Sequence, residues 1–407
     1  VTTMAGMFDG ASVFDGNVSN WDTSSVTIMA GMFEGASVFD GDVSKWSVSN
    51  VKYMDYMFHD SSSFNGDVSK WDTSKVTNLD CMFCHAANFN GNVSDWDTSK
   101  VTRMDSTFDH ATNFNGDVSK WDTSSVTLMP YMFESASEFN GNTSNWDTSS
   151  VADMQQMFYG ASAFDGDTSN WDTSSVTTMY RMFCGASSFN GGTASWNTSK
   201  VTNMAAMFDG AAAFDGDTSN WDTSKVTAME YMFHDSSAFN GDVSNWDTSN
   251  VIRMDAAFRN AADFDGNTSN WNTLSVTKMD QMFMHASSFN GDVSKWDTSK
   301  VTNLDQMFYG ASSFNGDVSS WDVSKVTTMK EVFVGSNISD LPVWCTDACL
   351  PRRKRSSGSG SGLSGGQIAG IAGGAALLLA SAAGGVYWCR RSRARPLTDD
   401  ASVKVNL

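Results

Sequence analysis

Basic residues are scarce through most of this chain. Residues 1–350 carry 17 Lys and Arg against 44 Asp and Glu, a net charge of about −27. Nucleic acid is thereby excluded as a partner, because phosphate binding needs a basic surface. The balance suits an exposed soluble surface with cations or basic partners as ligands. Histidine is rarer still, with five in 407 residues. No Ser-His-Asp, Cys-His, paired-carboxylate or phosphate-loop arrangement stands out, so the visible chain is not expected to be an enzyme. An initiator Met, a signal peptide and an N-terminal capping unit are missing too. Repeat arrays need polar caps, so the expectation is a fragment whose N-terminal part lies elsewhere.

Insertions and deletions are also absent, and this is the most informative lack. A 25-residue unit runs thirteen times from Val1 to Lys325, and a fourteenth copy starts at Val326 and decays near Ile338. The unit reads roughly V-T-x-M-x-x-M-F-x-G-A-S-x-F-N-G-D-V-S-x-W-D-T-S-x. With its positions numbered as columns 1–25, all 27 Phe fall in columns 8 and 14, and 13 of 15 Trp fall in column 21. Of 24 Met, 23 fall in columns 4 and 7, shared with Leu79, Leu304 and Val332. That sharing marks the Met stripe as core filler rather than a soft-metal site. A fixed period means that each unit buries its apolar face only by stacking on its neighbours, which predicts ladders of Phe, Met and Trp.

Columns 1, 4, 7, 8 and 11 are apolar or small, the spacing of one helical face. Thr in column 2 with an acid or Gln in column 5 forms a capping box, so a helix of about two turns is predicted from column 3. Column 10 is Gly in seven copies and otherwise mostly a residue tolerant of the left-handed conformation that closes a helix. Columns 15–17 read as a turn. After it, S-x-W-D-T alternates, with columns 19, 21 and 23 inward and columns 20 and 22 outward. The expected fold class is an α/β repeat solenoid, leucine-rich-repeat-like, with one short strand and one two-turn helix per 25-residue unit, plus a single C-terminal transmembrane helix.

Units such as V-T-N-M-A-A-M-F-D-G-A-A-A-F-D-G-D-T-S-N-W-D-T-S-K, Val201 to Lys225, resemble the repeats of BspA-like leucine-rich-repeat surface proteins. The likeness is closest to the 25-residue variety first catalogued in mycoplasma surface lipoproteins. It covers residues 1 to about 340. It implies a surface-exposed interaction protein and supplies no catalytic residues. The chain departs from the lipoprotein versions in placing its expected anchor at the C-terminus.

The expected organisation is a repeat array over 1–340 and a C-terminal cap over 341–355 with Cys345, Cys349 and the basic run Arg352 to Arg355. A Ser/Gly linker over 356–367, a membrane span over 368–388 and a tail over 389–407 follow. The span holds 21 uncharged residues, long enough to cross a bilayer. The arginines after it set the C-terminus in the cytosol and the repeats outside, at a plasma membrane. Gly366, Gly370 and Gly374 form a small-residue stripe suited to self-association of membrane helices. Cys345 and Cys349 are expected to pair as a disulfide in the oxidising exterior. The R-R-K-R-S stretch reads equally as a convertase site or a solvated charge run.

Column 22 is Asp in ten of thirteen units. Asp72, Asp97, Asp122, Asp147 and Asp172 are the candidate binding row on the outward face. Stacked acids and D-G-D turns also invite calcium, against which the same side chains serve as turn caps; no other cofactor is expected. Cys81, Cys84, His85 and His110 are a weak metal candidate, set against surface thiols or a local disulfide. Sequons at Asn17, Asn92, Asn142, Asn197, Asn267 and Asn337 are glycosylation candidates. The expected function is binding or adhesion to an extracellular protein or glycan by a single-pass cell-surface glycoprotein. The alternatives are a structural wall or coat component assembling laterally, and an ice- or mineral-binding surface.

Overall fold

A computed structural model describes residues 1–346 and Cys349. Each 25-residue unit makes one coil, and successive coils lie on one another in strict register. A parallel bridge joins column 3 of each coil to column 3 of the next, from Thr3 with Ile28 through to Asn303 with Thr328.

The first half of a coil is a succession of tight turns. In the unit 51–75, Met57 N–H donates to Met54 O at 3.2 Å and Ser61 N–H donates to Phe58 O at 3.1 Å. The third residue of each turn has positive φ, 57° at Tyr56 and 56° at Asp60, the backbone of a type II turn. Alternate amides point out of the turns into the next coil. Tyr56 N–H donates to Asp80 O, Phe58 N–H to Met82 O and Asp60 N–H to Cys84 O, each at 2.9 Å. This half is knitted to its neighbour through the main chain.

The second half is knitted through side chains. Trp71 Nε1–H donates to Val43 O one coil back at 3.2 Å, and the buried Thr73 hydroxyl donates to Asp97 O one coil ahead at 3.0 Å. Asn65 N–H is accepted by Asp40 Oδ1 at 2.8 Å. Buried polar groups must be paired, and here the constant Trp, Thr and Asn/Asp columns supply the partners.

Aromatic rings fill the interior. Phe58 and Phe64 stack within one coil at 3.8 Å, Phe58 stacks on Phe83 of the next at 5.7 Å, and Trp71 lies 6.3 Å from Trp96. The predicted ladders and the inward setting of columns 21 and 23 are present. Gly in column 16 is required by the Phe two residues earlier. A Cβ on Gly91 would sit 2.7 Å from Phe89 Cε2, closer than any unstrained contact.

The α/β solenoid expectation is corrected by this geometry. No α-helix and no extended strand occurs among the described residues, only turns and single bridges. Positive φ at columns 6 and 10 breaks the i→i−4 ladder that a helix needs, and a pair of tight turns reproduces the apolar spacing that mimicked a helix. The leucine-rich-repeat-like strand over columns 19–23 is corrected likewise, because Trp71 N–H turns back to Val68 O and Val76 N–H to Thr73 O. The membrane expectation is also overturned: no helix of the described residues is long and apolar enough to cross a membrane. The transmembrane helix and the single-pass plasma-membrane arrangement rested on the span 368–388 and find no support among the described residues. The stretches 350–355, 356–367, 368–388 and 389–407, with Gly366, Gly370 and Gly374, lie outside the described residues.

Candidate functional site

The outward row of column 22 forms as the alternation requires. Asp72, Asp97, Asp122, Asp147 and Asp172 are all exposed, each beside a buried Trp and a buried Thr. Each Oδ1 accepts the backbone N–H of the Ser two residues on, at 2.9–3.1 Å. At Asp97 and Asp122 the same oxygen also accepts the Ser hydroxyl, at 2.6 Å in both cases. These Ser hydroxyl and amide donors hold the carboxyls of Asp72, Asp97, Asp147 and Asp172 below the usual carboxylate range. The turn-cap reading of these acids is thus realised, and the capped carboxylates still form a repeating anionic row. A carboxylate has two oxygens and room for several donors, so capping through Oδ1 leaves acceptor capacity facing solvent.

A second polar row runs along column 15, which the sequence suggested as turn residues and as calcium candidates. Asn65 Oδ1 accepts Asn90 N–H, Asn90 Oδ1 accepts Asn115 N–H and Asn115 Oδ1 accepts Asn140 N–H, at 2.8–2.9 Å. With every Oδ1 committed to the next coil, the amide N–H donors of the row are turned to the other side. Asn65, Asn90 and Asn115 line an open cleft of about 470 Å³ with Asn88, Asn113 and Glu138. The signal was the Asn/Asp identity of column 15, invisible as a row until the coils were stacked.

The six sequon asparagines are exposed. Asn17, Asn92, Asn142, Asn197 and Asn267 use Oδ1 to cap the Ser two residues on, at 2.9–3.1 Å. That leaves Nδ2, the atom glycosylation uses, unencumbered by the turn. Asn337 donates its backbone N–H to Phe314 O at 3.0 Å.

Columns 9 and 10 bring histidine, cysteine and acid together on one edge of the stack. His59, Cys84 and His85 place ligand atoms within 4.8 Å of one another, and so do His85, Asp109 and His110, and Asp209, His234 and Asp235. Three of the four weak metal candidates are thus assembled, with His59 and Asp109 added; Cys81 stays outside these groups. The Cys84 thiol donates to Asp109 Oδ2 at 3.7 Å. A hydrogen bond with Cys81, and then burial, push Cys84 far above the ordinary thiol range. Burial, and then His110, push His85 down, favouring neutral imidazole. In the other groups His110 Nδ1 makes a very short contact with Asp109 Oδ1, and His234 Nδ1 lies 2.6 Å from Asp209 Oδ1. Among the described residues no such group forms at the D-G-D turns where calcium was considered.

Cys345 and Cys349 come together at the end of the stack as separate thiols. Burial, and then hydrogen bonding with Cys349, push Cys345 up to about 12.

Four overlapping segments of the chain, residues 1–92, 63–170, 163–268 and 238–344, match the family described as "Mycoplasma protein of unknown function, DUF285". No curated protein and no solved structure matches the chain. The family match supports a mycoplasma-type repeat protein and is coarser than the BspA-like leucine-rich-repeat designation.

Proposed function

The chain belongs to the DUF285 family of mycoplasma-type repeat proteins, and we propose that its stacked coils act as a recognition rod that binds a protein or a glycan. The observation that carries this reading is the capped carboxylate row. From Asp72 to Asp172 the outward acids recur once per coil, each fixed by the same Asx hydrogen bond. Side chains already held in one geometry lose little entropy on binding. Column 22 supplies negative charge for a basic or cation-bridged partner, and the variable column 20 beside it supplies discrimination. The narrower kinship with BspA-like surface proteins belongs to this proposal and would make the rod an adhesin. Non-enzymatic action belongs to it as well.

The amide cleft of Asn65, Asn90 and Asn115 favours a second reading, a neutral glycan lying along column 15. An array of immobilised basic peptides, amino-sugar polymers and neutral polysaccharides, probed with the full chain, separates the two. Salt-sensitive capture by basic surfaces supports the carboxylate row, and salt-insensitive capture by neutral polysaccharide supports the amide row. Self-association without capture of any probe favours the lateral-assembly alternative and would defeat both.

A further inference from the structure

Beyond the recognition faces, the column 9–10 edge holds a set of groups that no turn requires. Seven units place Gly in column 10 with positive φ, among them Gly35 and Gly160. His85 occupies that position at φ 60° and His110 at 55°, a backbone region that non-glycine residues enter at a cost. The fold has a simpler solution there and uses it in half of the coils. What the imidazoles add is therefore their nitrogen atoms.

We propose that His59, Cys84, His85 and Asp109 form a binding site for a zinc-type divalent cation that ties three consecutive coils together. His59 comes from one coil, Cys84 and His85 from the next, and Asp109 from the third. The donor atoms of the first three lie within 4.8 Å of one another, as do those of His85 and Asp109. Asp109 Oδ2 lies 3.7 Å from Cys84 Sγ. Tetrahedral zinc, with bonds of about 2.0–2.3 Å, sets its donors about 3.3–3.8 Å apart. The closure required is about 1 Å, within reach of side-chain rotation on a fixed backbone.

The donor types choose the ion. Two imidazole nitrogens, one thiolate and one carboxylate suit zinc and neighbouring transition ions, whereas calcium and magnesium take oxygen. The thiol proton leaves to solvent as the metal–sulfur bond forms. Ligating imidazoles are commonly oriented by a carboxylate on the second nitrogen. Glu34 Oε1, 3.3 Å from His59 Nδ1, is placed for that part, and Nε2, 3.6 Å from Asp60 Oδ2, is then the nitrogen that turns to the metal. The His85 and His110 rings stack at 4.5 Å, so His110 packs against the ligand ring.

The test uses the full chain, reduced with a phosphine and freed of metal. Zinc is titrated against a chromophoric chelator, and cobalt(II) is added separately to read thiolate-to-metal charge transfer. The variants are Cys84→Ser and His85→Gly, the latter introducing the residue that seven other coils carry, so that the stack is preserved. His285→Gly, in column 10 of a distant coil, is the control. The expected result is one tight zinc equivalent and a cobalt–thiolate band. Both should be lost in Cys84→Ser and His85→Gly, with zinc affinity down about 100-fold or more, and kept in His285→Gly. Metal-free melting curves that coincide with the parent's show that the variants fold. Absence of the band in the parent, or a band and affinity that survive either ligand substitution, would overturn the site.

Discussion

The indole Nε1–H of Trp171 donates to the carbonyl oxygen of Thr143, 28 residues earlier and one coil back, at 3.0 Å. The same bond recurs from Trp46 to Val18 through Trp321 to Val293. Column 21 therefore does two things at once, filling the core and giving a second donor to a carbonyl that already accepts the backbone N–H of Trp146 at 3.1 Å. Trp171 lies 6.4 Å from both Trp146 and Trp196 and is 2% exposed. Trp171→Ala removes the ring and the donor together and should cost roughly 3–5 kcal/mol in thermal or denaturant unfolding. Asn170→Ala, on the exposed neighbour, should cost under about 0.5 kcal/mol. Equal losses from the two would refute the inward setting of column 21.

Thr148 isolates the hydrogen-bonding part of the same arrangement. Its hydroxyl is fully buried and donates to Asp172 O at 3.0 Å. Thr148→Val keeps the shape and strands a carbonyl, an expected cost of about 1–2 kcal/mol. Thr148→Ser retains the donor and should recover most of the hydrogen-bond part. A Val variant as stable as the parent would show that the side-chain ladder is dispensable.

Glycine in column 16 is constrained by a ring rather than by φ. A Cβ on Gly116 would lie 2.7 Å from Phe114 Cε2 and 3.3 Å from Gly91 O. Gly116→Ala must displace a buried Phe that stacks on Phe108 at 3.8 Å, which should cost about 1–3 kcal/mol. Combining it with Phe114→Leu should cost less than the sum of the two single changes, and strict additivity would argue against the clash.

Two sets of acids give the array opposite pH responses. Burial, and then Asp105, raise Asp80 from 3.8 to about 7, with Arg103 at 2.9 Å opposing. The folded chain prefers Asp80 protonated, so its contribution to stability declines as pH rises from 3.8 through about 7. Turn-capping acids such as Asp97 and Asp147 are lowered from 3.8, and their contribution is lost as pH falls through that value and below. Melting temperature followed against pH should show both limbs. Asp80→Asn should flatten only the decline on the side of rising pH; a decline unchanged by that substitution would assign it to other groups.

The core was readable because its residues are confined to columns: Phe in 8 and 14 and Trp in 21 recur without interruption, and Met in 4 and 7 gives way only at Leu79, Thr107, Ala257, Leu304 and Val332. The backbone was not, because apolar residues three and four apart suit a helix and a pair of type II turns equally well. Deciding between them needed φ at residues such as Tyr56, Cys81 and Gln156, all positive without glycine. Thr in column 23 read as an inward strand residue and Asn/Asp in column 15 as turn formers, whereas the constancy of both reflects hydrogen bonds to a coil 24 or 25 residues away. The exposed acids of column 22 followed from alternation with Trp. The cluster around His85 was legible only in part, since His59 and Asp109 lie one coil to either side.

The recognition rod is tested most directly by Asp122→Asn, Asp147→Asn and Asp172→Asn combined, beside a control carrying Gln155→Ala and Gln156→Ala on the turn side. Binding to the partner retained on the array is measured across a salt series. The triple should bind about tenfold more weakly at low salt and show a shallower salt dependence, as expected when three exposed charge contacts are removed, while the control binds like the parent. Unchanged binding by the triple, with binding abolished in the control, would move recognition to the turn side and contradict the account.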